Sequence, residues 1–340
     1  MATALAAIFV FMSIIIFHEF GHFIVAKSVG IYVPEFSIGM GPKLFHKKKG
    51  ETDYVLRALP IGGYVRMEGE DENSEDPRSF TKKPIGSKMA VVAAGSIMNF
   101  VLAIIVFTIF SFGAGMPTTT IKETIKDSPA QEAGLKSGDK IVEINNESTK
   151  SWNKIADAIN NSPPKKEMEV TVLRGSKLID YHLIPKIDKE YNNRLIIGIV
   201  PTSEKTLISA IKGGFGKTIA VLGLMFQFLK MVFTGQVKTT DLSGPVGVIY
   251  TVGEAAKYGF LNVLYITGFI SVNLGFFNLL PIPALDGSRL MFLTVELVRG
   301  KPVNPEKEGF VHFVGFVFLI ALMIFVTYSD IVKFKLFWRW

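Results

Sequence analysis

The 340-residue chain contains no cysteine. No disulfide can staple it and no thiolate can hold a metal, so any metal site must be built from His, Asp or Glu. Charge is scarce as well. Asp, Glu, Lys and Arg make up 20% of the residues, against roughly a quarter in ordinary soluble domains, while 49% are hydrophobic and 12% aromatic. The apolar residues gather in long runs, which excludes a single soluble globule and points to a membrane protein carrying a soluble insert. The N-terminal run lacks the basic start and small-residue cleavage site of a signal peptide, since Lys27 follows it rather than leading it. No internal repeat is visible, which argues against the paired bundles of a transporter. The net charge of +7 is not laid out for nucleic acid. Lys47-Lys48-Lys49 and Lys82-Lys83 sit beside apolar runs, the position of positive charge on the cytoplasmic face of a membrane.

What is present reads as four spans, at about 2–26, 88–112, 260–280 and 310–328, each near the ~20 residues that cross ~30 Å of hydrocarbon. The predicted fold class is a polytopic α-helical membrane protein with four transmembrane helices, an inserted small α/β domain and a cytoplasmic-side β-hairpin loop. The hairpin belongs to the region 30–85, where Phe36-Ser37-Ile38-Gly39 and Tyr54-Val55-Leu56-Arg57 flank a Lys-Lys-Gly-Glu turn. Tyr64 to Met67 is a further short strand, and Glu68 to Asp76 an acidic loop. Three domains result. A first half of the membrane core covers 1–117, a soluble domain 118–200, and a second half of the core 201–340. In the soluble domain Ile141 to Ile144 and Val170 to Leu173 are strands, and Trp152, Ile155, Ala156 and Ile159 carry helical spacing. Leu207 to Thr234 is apolar but interrupted by Lys212, Lys217, Gln227 and Lys230, the pattern of a helix lying in the membrane interface.

The chemistry is concentrated in His18-Glu19-Phe20-Gly21-His22. Four positions along a helix turn a side chain by only ~40°, so both imidazoles face one point. Neutral imidazole is a good zinc ligand, and Glu19 stands where it can take a proton from water. Ionisable groups inside a span cost about 2.5–3.5 kcal/mol each, so three in one run are there for a purpose. A catalytic zinc takes three protein ligands, and the residues alone leave Asp286, Glu296 and His312 as candidates for the third. Asp286 follows Pro281 and Pro283, and a helix broken at membrane depth is tolerated only where it is buried or lines a cavity.

Two stretches carry a close resemblance. His18 to His22 together with Asn278-Leu-Leu-Pro-Ile-Pro-Ala-Leu-Asp286-Gly287 resembles the site-2 protease family of intramembrane zinc metalloproteases, most of all the bacterial regulator of sigma-E protease type. Ala94-Gly95-Ser96-Ile97-Met98-Asn99-Phe100 and Ser243-Gly244-Pro245-Val246-Gly247 are similar to further family segments. Ser128 to Ile141 resembles the PDZ signature, and one such domain is visible where this branch often has two. The resemblance implies that His18, His22 and Asp286 bind Zn2+ and that Glu19 is the general base. It implies that Asn99 and Asn278 lie near the substrate backbone, and that Gly62 to Met67, with Gly63, Tyr64 and Val65 at its centre, pairs with substrate as an added strand. The implied substrates are single-span membrane proteins already trimmed by a site-1 type protease, such as anti-sigma factors or remnant signal peptides. The implied place is the bacterial cytoplasmic membrane, with no role for nucleic acid.

Topology supplies a separate argument. The Lys-rich loop after the first span makes that exit cytoplasmic. The PDZ-like domain then lies outside, and Asp286 reaches the depth of His18 only if 207–234 does not carry the chain across. The C-terminus falls outside, with Lys333, Lys335 and Arg339 against the charge rule. Two other classes are open to these residues, a catalytically dead membrane PDZ scaffold and a metal or proton transporter.

Overall fold

The computed structural model describes residues 2–70, 74–188, 194–238 and 242–334. Part of the acidic loop, and Lys335 and Arg339, lie outside these. Contacts divide the chain into Met1–Phe110 with Ile211–Trp340, and Ser111–Ala210.

The chain begins with α1 (Ala2–Ser28), a helix apolar on every side. Its buried residues Ala7, Val10, Ile14 and Gly21 form one stripe, while Leu5, Ile8, Phe20 and Ile24 are exposed. A helix with apolar residues facing outward and 27 residues of length fits a lipid surround, at ~1.5 Å per residue. Two 15-residue strands follow, β1 (Glu35–Lys49) and β2 (Thr52–Arg66). They are far longer than the sequence patterns implied, and β1 pairs twice. Lys49 to Lys43 pair with Thr52 to Arg57, while Glu35, Phe36, Ser37 and Ile38 pair with Arg66, Val65, Tyr64 and Gly63 as well as with the residues from Asp53 to Leu56. The end of β2 is therefore bonded through one edge only among the described residues.

After a short 3-10 turn at Phe80–Lys82 comes α2 (Ile85–Ala114). The unit Ser111–Ala210 is built on a sheet ordered β10-β3-β4-β6-β7, from β3 (Met116–Thr124), β4 (Lys140–Ile144), β6 (Met168–Arg174), β7 (Lys177–Leu183) and β10 (Ile199–Glu204). The two-residue β5 (Glu147–Ser148) pairs with β4, and β8 (Lys186–Asp188) pairs with β9 (Arg194–Ile196). Two helices pack on this unit, α3 (Pro129–Glu132) and α4 (Trp152–Asn160), both capped by serine side chains, Ser128 and Ser151. Alternation along β6 sends Met168, Val170 and Val172 inward, against Ile141, Ile144, Ile155 and Ile159. Asp139 is fully buried, held by Arg174 through two bonds of 2.7 and 2.8 Å and by the Lys136 backbone N–H.

The second half of the core contains α5 (Leu207–Phe233), α6 (Pro245–Lys257), α7 (Phe260–Leu279), α8 (Asp286–Arg299) and α9 (Pro305–Lys333). Among the described residues five helices have the length and composition to cross a membrane, one more than the sequence reading counted, because α5 qualifies. It lies lengthwise on its neighbours. A Cβ at Gly214 would stand 2.2 Å from the Thr108 hydroxyl of α2, and Val221 joins Ala103, Phe107 and Val272 in one core. Further along, Phe226 and Phe228 stack edge-on against Phe276 and Phe277 of α7. One of the lysines that interrupt the pattern is absorbed by packing, since the Lys217 ammonium lies over the Phe110 ring. α6 then packs near the start of α1, with Gly253 beside Thr3, so α7 begins at the α2 end where Phe107 and Phe110 meet Tyr265. Asp286 thus reaches His18 although α5 runs along the bundle. The Ser243–Gly247 segment has a clear partner. Asp330 of α9 accepts the backbone N–H groups of Gly244 (2.9 Å) and Gly247 (2.7 Å), satisfying the start of α6.

Candidate metal centre

His18 and His22 project from α1 toward α2 and the α7–α8 turn. α1 and α2 cross with almost no gap. A Cβ at Gly21 would stand 2.3 Å from the Ala94 carbonyl oxygen, and one at Gly95 2.3 Å from His22 Nε2. Only hydrogen fits at either position. The close crossing lets the Val91 carbonyl accept from His22 Nδ1 at 2.8 Å, which turns Nε2 into the site.

Asp286 arrives from the other half of the chain. α7 stops at Leu279, Leu280 is extended, and Ala284 takes a left-handed conformation (φ 72°) before Asp286 opens α8. The Ala284 N–H donates to His312 Nδ1 at 3.2 Å, so His312 braces the turn instead of joining the site. Glu296 is also elsewhere, paired with Lys88 at 2.8 Å. Of the three candidates for the third ligand, Asp286 alone stands with the histidines.

The donors form a nearly equilateral triangle. His18 Nε2 and His22 Nε2 are 3.2 Å apart, and Asp286 Oδ2 lies 3.3 and 3.4 Å from them. Donors 2.0–2.1 Å from a tetrahedral zinc ion stand about 3.3–3.5 Å apart. Asp286 Oδ2 is buried with no hydrogen-bond partner among the described residues, as an atom reserved for a cation would be. Two imidazoles and a carboxylate, without thiolate, are a donor set suited to zinc. These residues fit the ion.

Glu19 stands next to His18 on α1, under the end of β2. A Cβ at Gly63 would touch Glu19 Cγ at 3.2 Å, so the last residues of β2 run directly over the site. Tyr64 turns its hydroxyl away, donating to Glu35, which also accepts from Arg57 (2.6 Å) and Lys43 (3.1 Å). Burial raises the Glu35 carboxyl, but these hydrogen bonds outweigh it and hold the group down at about 2. Asn99 is fully buried beside His18, and Asn278 is buried near the end of α7. A cavity of about 60 Å³, lined by His22, Val65, Met67, Glu70, Val92, Asp286 and Arg289, opens next to the donors. One water needs only about 10–15 Å³ of such space. Beyond the Glu70–Arg289 ion pair lies a larger, mixed-charge cavity of about 680 Å³ that shares Val92 with the first.

Two contributors escaped the sequence reading, Gly95 and the Val91 carbonyl, and His312, named there only as a candidate ligand, has the different role of bracing the turn. Gly95 carried a signal, as a glycine in a small-residue run on a span, which marks close helix approach. A backbone carbonyl and a turn brace leave no sequence signal.

An H-E-x-x-H helix joined by an aspartate, among helices long and apolar enough to cross a bilayer, defines a membrane-embedded zinc metalloprotease. The chain matches peptidase family M50 over residues 6–322 and belongs to that family, the site-2 proteases. It is 40% identical over 329 residues to a Clostridium acetobutylicum protein, covering 96% of each chain. It is 35% identical to the Bacillus subtilis protein named regulator of sigma-W protease RasP, covering 97% of this chain and 98% of that one. Identity to the Bacillus licheniformis zinc metalloprotease RasP is 33%, covering 97% and 99%. Among solved structures, the PDZ domain of an SdrC-like protein from Listeria innocua is 27% identical with a TM-score of 0.23, covering 26% of this chain and 96% of that one. The protein is therefore a multi-pass, membrane-embedded zinc metalloprotease.

Proposed function

We propose that His18, His22 and Asp286 hold the zinc ion, that Glu19 is the general base, and that the substrates are transmembrane segments of single-span proteins. The observation that carries this reading is the donor triangle with its unpartnered Asp286 oxygen. Zinc bound there supplies Lewis acidity, which acidifies water and polarises a peptide carbonyl. Glu19, held beside His18 under the end of β2, takes the proton from water and returns one to the departing amine. Water would reach the residues through the two cavities that meet at the Glu70–Arg289 pair.

A helical substrate hides its carbonyls in i→i−4 bonds and must be unwound first. The open edge of β2 at Gly63–Arg66, running over Glu19, suits an unwound strand that adds to the sheet through backbone hydrogen bonds. Asn278, near the end of α7, is a candidate to hold that strand from the other side. The regulator of sigma-W protease name of a relative supports anti-sigma factors as substrates. Prior shortening by a first protease belongs to the proposal and rests on the family resemblance alone. The domain between α2 and α5 would lie outside the cytoplasmic membrane and reject long ectodomains, with the metal toward the cytoplasmic side. The direct test is metal analysis of detergent-purified protein alongside cleavage of a single-span substrate. The reading requires one zinc per wild-type chain, with zinc and cleavage lost together in His22→Ala; full zinc in His22→Ala would refute the ligand set.

A further inference from the structure

On the reading that His18 holds the metal, we propose that Asn99 is a positioning residue, which fixes the tautomer and orientation of His18 by accepting its Nδ1 proton. His18 Nε2 faces the other two donors, at 3.2 and 3.3 Å. A ligating nitrogen carries no proton, so the neutral ring holds its proton on Nδ1. The group facing Nδ1, at 3.2 Å, is the side-chain amide of Asn99. The two ends of that amide are nearly the same shape, and Nδ2 and Oδ1 exchange places by a half-turn. Either orientation leaves one end without a protein partner, so counting satisfied atoms does not choose between them. His18 does. Two N–H groups cannot bond to each other, and the amide oxygen must therefore face Nδ1.

The surroundings hold Asn99 in place. It is 0% exposed, on α2, one helical turn beyond Gly95. The Ser271 hydroxyl of α7 donates to its backbone carbonyl at 2.7 Å. A Cβ on Gly275 would stand 3.3 Å from the Asn99 Cβ, so α7 is pressed against it. Asn99 does not line the cavity beside the donors, whereas Val65, Arg289 and Asp286 do. It acts through His18 and not on the substrate backbone, which departs from the sequence expectation. His22 has the equivalent support from the Val91 carbonyl, which no side-chain substitution can remove.

The test compares full-length wild type, Asn99→Leu and Asn99→Asp in detergent, by zinc affinity in chelator competition, by KM for a short substrate and by nitrogen NMR of labelled histidines. Losing a bond of this kind typically costs ~10–100-fold in metal affinity. Asn99→Leu is expected to fall in that range with KM unchanged, while Asn99→Asp, which still accepts the bond, stays close to wild type. His18 in the wild type should show its proton on Nδ1. Wild-type zinc affinity in Asn99→Leu with a raised KM would make Asn99 a substrate contact and overturn the proposal. So would Asn99→Asp as weak as Asn99→Leu, or a His18 proton on Nε2. Should Asn99→Leu not fold, the aspartate variant and the tautomer decide. A wild type that binds no zinc would sink the ligand set itself, and the proposal with it.

Discussion

Replacing Gly95 by alanine probes how tightly the histidines are packed. The added Cβ would lie 2.3 Å from His22 Nε2, 2.7 Å from His18 Cε1 and 2.8 Å from His22 Cε1. Non-bonded carbon contacts settle near 3.5–4.0 Å, so His22 Nε2 must retreat by more than about 1 Å. Parting the helices instead would undo the close crossing that also sets the Ala94 carbonyl oxygen 2.3 Å from where a Gly21 Cβ would be. The ring can move only by giving up its 2.8 Å bond to the Val91 carbonyl. A misplacement of ~1 Å in a catalytic group costs about 10²-fold in rate. That corresponds to about 2.7 kcal/mol at 1.36 kcal/mol per tenfold. Gly95→Ala should therefore lose about 10²-fold in cleavage and bind zinc more weakly, while folding in the same bundle. Gly86→Ala, on the same helix with nothing within 4 Å of its added Cβ, is the control and should change neither. The assays are chelator competition and single-turnover cleavage of a short substrate in detergent. Wild-type zinc affinity and turnover in Gly95→Ala would refute the claim that the crossing fixes the imidazoles.

Three further outcomes follow from the geometry. Asp286→Asn should lose zinc by at least tenfold and lose activity with it. His312→Ala removes the bond from the Ala284 N–H, ~1 kcal/mol or about fivefold, and a longer contact with Ser288, so metal analysis showing the larger loss in His312→Ala would reverse the assignment. Glu35 titrates lower folded than unfolded, so its contribution is complete above the ordinary carboxylate value of about 4.3 and is lost as pH falls toward about 2. The difference in melting temperature between wild type and Glu35→Gln should shrink over that window, and a difference unchanged down to pH 2 would contradict the bonding to Tyr64, Arg57 and Lys43. Deleting residues 118–200 should allow cleavage of substrates with intact ectodomains and spare short ones; loss of short-substrate cleavage by a stably expressed deletion form would mean that the domain recruits.

What was legible in the sequence was what local physics controls. The helices at 2–28, 85–114, 260–279 and 305–333 follow from unbroken apolar runs, and the pairing of His18 with His22 from helical spacing alone. Ile141 to Ile144 and the helix from Trp152 emerged because alternation and amphipathic spacing are local signals. What was hidden depends on contacts distant along the chain. Residues 35–38 pair on both sides, with partners some 20 and 30 residues on, which no local pattern reports. Lys212, Lys217, Gln227 and Lys230 read as the breaks of an interfacial helix, and only the fold shows that the Lys217 ammonium lies over the Phe110 ring and that α5 packs along α2 and α7. The motif segment holding Asn99 was visible, but its burial against His18 needed the crossing at Gly21 and Gly95.

The central claim is that Glu19 moves the proton and the three ligands hold the zinc. It is tested most directly by Glu19→Gln, measured for zinc content and for cleavage of a single-span substrate on the same preparation. The exchange keeps size and burial and removes only the base. One zinc per chain with cleavage reduced by at least 10²-fold, the range for general-base removal, is the predicted result. Cleavage within tenfold of wild type, with zinc in place, would contradict it.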